Sequence, residues 1–176
     1  EKSRYPNSFL AKYDSSTNLT WSFLLDETPH IYRTGEVHAA GLTVDKAGDI
    51  YVAGTFKKTP FFKKTQIKSG KNSDVFLAKY TLNGDLDWIL QLTHTSEEYN
   101  VHKVFINHLG NVCIKASSLD TKSESILPVL HTYLYAPAGS SSKNSQRYTW
   151  MRGENLTKDL MSYDYSDWVL SPNKTT

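Results

Sequence analysis

The pentapeptide Phe9-Leu10-Ala11-Lys12-Tyr13 recurs, residue for residue, as Phe76-Leu77-Ala78-Lys79-Tyr80. Each copy is followed eight residues later by a tryptophan, Trp21 or Trp88, so both matches share one offset of 67. Internal repetition constrains a fold more than composition does, because each copy is then one supersecondary unit that must bury itself against its neighbours.

Around each copy the chain alternates apolar and polar residues in short runs separated by turn formers, the pattern of antiparallel strands joined by hairpins. In the first unit, strands are expected at residues 9–13, 19–25, 40–44 and 50–55, with turns at Asp14-Ser15-Ser16-Thr17-Asn18 and Asp45-Lys46-Ala47-Gly48-Asp49. In the second unit they are expected at 75–80, 86–92, 102–106 and 112–116. The turn Leu82-Asn83-Gly84-Asp85 contains Asn-Gly, which favours a tight hairpin because both residues tolerate positive φ. Gly48 and Gly110 fall in corresponding turns. A third unit is legible at 126–135, 147–152 (with Trp150) and 167–170, and there it stops one strand short. The expectation is a single domain, residues 1–176, of three units at about 8–56, 74–117 and 126–176. Its fold class is all-β, a β-propeller-like array of four-stranded antiparallel sheets with the last one incomplete.

These motifs resemble the SBBP-type repeat, a β-propeller repeat of mainly bacterial secreted and surface proteins. Asp74-Val75-Phe76-Leu77-Ala78-Lys79-Tyr80 with Asn83-Gly84-Asp85 matches the first half of that repeat. Gly41-Leu42-Thr43-Val44-Asp45, Gly48-Asp49 and Ile50-Tyr51-Val52-Ala53-Gly54 match the second half. The likeness covers roughly residues 8–116; Asn107-His108-Leu109 departs from it, and the third unit keeps little beyond Trp150. The family carries no catalytic motif. The resemblance therefore implies a non-enzymatic extracellular or cell-surface interaction or structural module, part of a larger chain or assembly. The alternative is a propeller that binds or cleaves carbohydrate through one loop face.

A closed propeller needs about four blades or more, and the third unit lacks a strand. Further chain or another subunit is therefore expected to complete the sheet array, giving an oligomer or filament, because an open edge recruits a strand. Glycans are a second candidate partner. A net charge of +2 gives no reason to expect nucleic acid, and no apolar run approaches the ~20 residues that cross a bilayer. No signal segment opens the chain at Glu1, so one is expected to be absent or already removed.

Few side chains carry a chemical pattern. Cys113 stands alone in the apolar run Val112-Cys113-Ile114, which excludes an intrachain disulfide and reads as a small hydrophobe. Sequons at Asn18, Asn155 and Asn173 mark candidate glycosylation sites. Asp45 and Asp49 resemble a calcium loop, yet no EF-hand spacing follows and a plain turn accounts for them. Histidines 30, 38, 94, 102, 108 and 131 show no metal spacing, although 30, 38, 94 and 102 fall in or beside corresponding connections. Asp26, Glu36, Glu97 and Glu98 share that loop class and could supply an acid/base pair; surface charge is the ordinary reading. Lys57, Lys58, Lys63, Lys64, Lys68 and Lys71 surround Phe61 and Phe62, which are expected to pack inward. Trp21, Trp88 and Trp150 are expected in the core. No catalytic residue, cofactor or metal is expected.

Overall fold

The computed structural model describes residues 7–28, 35–93, 97–108, 110–119, 129–135 and 146–150. Every regular element among them is a strand: β1 (Phe9–Tyr13), β2 (Leu19–Leu24), β3 (Glu36–Val44), β4 (Ile50–Lys57), β5 (Phe61–Phe62), β6 (Thr65–Gln66), β7 (Asp74–Tyr80), β8 (Leu86–Gln91), β9 (Glu98–Ile106), β10 (Val112–Leu119), β11 (Val129–Tyr135) and β12 (Gln146–Trp150). They form two four-stranded antiparallel meanders, β3-β4-β7-β8 and β9-β10-β11-β12, and two hairpins, β1-β2 and β5-β6.

This arrangement corrects the expected architecture. The sequence units are not sheets. Each four-stranded sheet takes two strands from one unit and two from the next, and the first two strands stand apart as a hairpin. The sheets are separate layers of two or four strands and do not close into a radial ring, so the propeller-like array of three blades is not the fold. The sheet-completing partner goes with it. β10 pairs with β11 from Val112↔Tyr135 to Ser118↔Val129, and β11 pairs with β12. The chain itself supplies the four strands of that sheet, and no further chain, second subunit or filament is needed to complete it. The strand expected at 167–170 lies outside the described residues.

The inner strands β4 and β7 of the central sheet are buried on both sides because they alternate two apolar sets. Tyr51, Ala53, Val75 and Leu77 face one cluster; Ile50, Val52, Phe56, Phe76, Ala78 and Tyr80 face the other. β9 and β10 cover the first with Tyr99, Val101, Val104, Val112, Ile114 and Ala116. Leu10, Trp21, Phe23 and Leu25 of the hairpin cover the second, joined by Phe62 of β5, whose ring centroid is 4.9 Å from that of Phe76. With about 25 cal/mol for each Å² of apolar surface removed from water, such two-sided burial is the main favourable term in the fold.

Four hairpin turns share one geometry. In 14–18, 45–49, 81–85 and 107–111, the first residue donates its N–H to the fifth residue's carbonyl, and the fourth donates back to the first, at 2.9–3.1 Å for three of them and 2.8 and 2.9 Å in 81–85. The fourth residue has positive φ: Thr17 66°, Gly48 88°, Gly84 86°, Gly110 80°. This is a type I turn closed by a left-handed residue. In the Asn83-Gly84 turn only Gly84 takes positive φ, not both residues. Asp14, Asp45 and Asn107 hold their turns by accepting backbone N–H bonds at Oδ1.

Candidate functional site

The densest polar cluster sits at the turn end of the central sheet. Lys79 on β7 places Nζ 2.7 Å from Asp49 Oδ2 and 3.1 Å from Asp87 Oδ2. Its ammonium is 5.9 Å from the centroid of the Tyr51 ring, and the Tyr51 hydroxyl donates to Asp45 Oδ2 at 3.2 Å. The bond to Asp49, helped by Asp87, holds Lys79 well above the ordinary lysine value against an opposing burial effect. Burial pushes Tyr51 up to about 12. A lysine kept protonated between two carboxylates is a poor base and a poor nucleophile. It clamps the β4 turn, β7 and β8 together.

Several other carboxylates among the described residues are also committed. Asp26 Oδ1 accepts the Thr28 and Phe61 N–H groups at 2.9 and 3.1 Å, and the Thr28 hydroxyl. Asp74 Oδ2 accepts Gly70 N–H at 2.7 Å and the Gln91 amide at 2.8 Å, while Oδ1 accepts the Thr93 hydroxyl at 3.2 Å. Buried carboxylates need such partners to offset desolvation. Glu36 faces Lys58 at 3.6 Å and Glu98 faces Lys57 at 3.0 Å. Lys63 lies 3.1 Å from Glu27 and 3.6 Å above the Phe23 ring. The lysine-rich connection is thus a packed segment, with Phe62 fully buried.

His38 and His102 lie in β3 and β9, and His102 Nε2 meets the Ser117 hydroxyl at 2.8 Å. His30 and His94 are outside the described residues. Among the described residues no three metal-binding side chains gather. Cys113 is buried, and burial pushes its thiol up to about 11. Trp21 and Trp88 face Lys12 and Lys79 in the same register, and pack on opposite sides of the central sheet. Asn18 is exposed at the close of its turn, where its side-chain amide donates to Asp14 Oδ2 at 3.1 Å. Asn155 and Asn173 are outside the described residues.

The surface that stands out is apolar. Pairing sets Phe9 opposite Leu24, Ala11 opposite Ser22 and Tyr13 opposite Leu19. These residues share the outer face of the β1–β2 hairpin, while Leu10, Trp21 and Phe23 point to the core. Phe9 is 69% exposed, Tyr13 59%, Leu19 55% and Leu24 42%. Apolar residues scattered singly on a surface carry no message, whereas a contiguous patch marks an interaction site. Sequence reasoning missed this face because Phe9–Tyr13 is identical to a strand whose side chains are almost all buried.

No protein-family model matches the chain, and no curated protein matches it. Together with the sheet arrangement, this sets aside the resemblance to the SBBP-type repeat and the function it implied. An extracellular or cell-surface module of propeller repeats has no propeller to rest on. Nor does a carbohydrate-binding or carbohydrate-cleaving propeller face, and of the carboxylates Asp26, Glu36, Glu97 and Glu98 named for it, Asp26, Glu36 and Glu98 are engaged as above.

Proposed function

We propose that this chain is a non-catalytic binding domain, that its recognition surface is the outer face of the β1–β2 hairpin, and that it binds a protein presenting apolar side chains. One observation carries the reading: four large apolar residues stand exposed on a hairpin whose opposite face is packed against the central sheet. Covering such a face gains about 25 cal/mol per Å² of apolar surface. The mode is face packing, with no strand added to a sheet edge.

A photocrosslinking side chain in place of Ala11 tests it in an extract of the source cells. The expected result is one discrete adduct, lost when Phe9→Lys is added and not formed from the same crosslinker at Asp85. Adducts indifferent to Phe9→Lys overturn the binding surface. Hydrolytic turnover of any substrate that disappears in Lys79→Ala overturns the non-catalytic half.

A further inference from the structure

The two copies of Phe-Leu-Ala-Lys-Tyr form the same local structure. Each strand pairs with its partner through a break in register at the same place, after Lys12 in one and Lys79 in the other. Each hairpin closes through the same five-residue turn. Their surroundings differ. In β7, the face carrying Phe76, Ala78 and Tyr80 is completely buried. It is covered by Leu10, Phe23 and Leu25 of the hairpin and by Phe62, with the Phe23 and Tyr80 ring centroids 5.2 Å apart. In β1 the corresponding residues Phe9, Ala11 and Tyr13 form the open face. The molecule therefore displays once, within itself, the kind of surface that covers this arrangement of side chains.

The turns differ in one residue that matters. Trp21 lies across the 81–85 turn, its indole N–H donating to the Leu82 carbonyl at 3.3 Å. A Cβ on Gly84 would stand 3.1 Å from that ring, so glycine leaves the seat open. Thr17 holds the same place in the 14–18 turn, with φ at 66°. It carries the Cβ that, at Gly84, would crowd the indole.

Building on the reading above, we propose that the partner covers Phe9, Ala11, Tyr13 and Leu24 with aromatic and aliphatic side chains, as the hairpin and Phe62 cover β7. Thr17 sets the limit of that contact. It is a specificity-determining residue that keeps an indole off the turn and confines the partner to the strands of the hairpin. Aromatic side chains are the natural occupants of such a surface, since they bury large areas and prefer offset or edge contacts with Phe and Tyr rings.

The test is an amide-detected NMR titration of the full 176-residue chain with N-acetyl-tryptophanamide and N-acetyl-tyrosinamide as probes. In the unmodified protein both probes are expected to shift Phe9, Ala11 and Leu24 saturably, and neither to shift residues 15–18. Thr17→Gly should extend the tryptophanamide shifts onto 15–18 and tighten its Kd several-fold, while tyrosinamide is unchanged. Phe9→Lys should remove the shifts; Tyr13→Lys serves if that variant does not fold. Absence of saturable shifts on the hairpin in the unmodified protein overturns the inference and the binding surface together. Shifts confined to the hairpin that Thr17→Gly fails to extend overturn the role of Thr17 alone. Flotation with phosphatidylcholine vesicles, lost in Phe9→Lys, would assign the face to a lipid surface. Concentration-dependent dimerisation lost in Phe9→Lys would assign it to a second copy. Either result overturns the proposed partner.

Discussion

The carbonyl of His38 lies directly over Gly54: a Cβ at that glycine would stand 1.9 Å from the His38 oxygen and 2.8 Å from the Ala39 Cα. The contact falls at the break in register between Ala39 and Gly41, which leaves Ala40 outside the ladder. β9 has the same irregularity across β10, skipping His102, but there Ala116 occupies the corresponding place. Gly54→Ala is expected to destabilise the protein by about 1–3 kcal/mol, as forced overpacking does. Ala116→Gly should cost about 1 kcal/mol. Urea unfolding of the two variants checks this, and equal midpoints would refute it.

Thr17 carries strain that the other three turns avoid. A β-branched residue at φ 66° sits where side chains are poorly accommodated, at a cost of about 1–3 kcal/mol. Glycine removes that strain but adds disorder to the unfolded chain, so Thr17→Gly should stabilise by about 1 kcal/mol net. A rise in the urea midpoint with an unchanged slope is the expected readout; a fall would show the turn to be unstrained.

Tyr80 is fully buried, and its hydroxyl has no hydrogen-bond partner in the structure. Removing an unsatisfied buried hydroxyl while keeping the ring relieves a desolvation penalty of about 1–3 kcal/mol. Tyr80→Phe is expected to match or exceed the parent in stability, by up to about 1 kcal/mol. Loss of stability in this variant would mean the hydroxyl is satisfied in solution.

Alkaline pH should weaken the fold. Burial raises Cys113 from 9.0 to about 11 and Tyr51 from 10.0 to about 12. Burial also raises Tyr80, and the Asp49 bond raises Lys79. All four shifts have one sign: the native state holds each proton more tightly than the unfolded chain does. Their stabilisation is complete below about pH 9 and is lost as pH climbs through 9 to 12. Denaturation midpoints at pH 8, 10 and 11 should fall in that order, and a flat series contradicts the assignment.

The fold was readable where local chemistry decides it. Asp, Asn and Gly at fixed offsets announced the turns, and alternation around Trp21 and Trp88 announced the strands beside them. What failed was pairing across distance. Nothing local says that residues 112–119 pair with 129–135 to finish a sheet, because that choice rests on which faces each strand must bury. β3 and β9 begin earlier than expected, at Glu36 and Glu98, because the irregularities at Ala40 and His102 interrupt the period of two. The binding face was hidden for a similar reason. Phe9 and Phe76 have the same sequence neighbours on their C-terminal side, and only tertiary packing separates a bare residue from a buried one.

Asn18 is the described sequon, exposed at the turn end and away from the Phe9–Leu24 end of the hairpin. Passed through a glycosylating secretory pathway, the chain is expected to gain one glycan there, removed by Thr20→Ala. Intact mass with and without amidase treatment checks it, and an unmodified Asn18 peptide would exclude the site.

β7 is wall to two rooms at once. Val75 and Leu77 close one apolar cluster and Phe76, Ala78 and Tyr80 close the other, so displacing this one strand opens both. The amides of β4 and β7 that pair between Ile50↔Tyr80 and Phe56↔Asp74 are therefore expected to be the slowest to exchange with solvent. The β1–β2 hairpin is packed on one face alone, and its amides are expected to exchange sooner, with the second cluster opening as it lifts. One strand's position thus ties two layers together, and a partner laid over the outer hairpin would hold that hairpin more firmly to them.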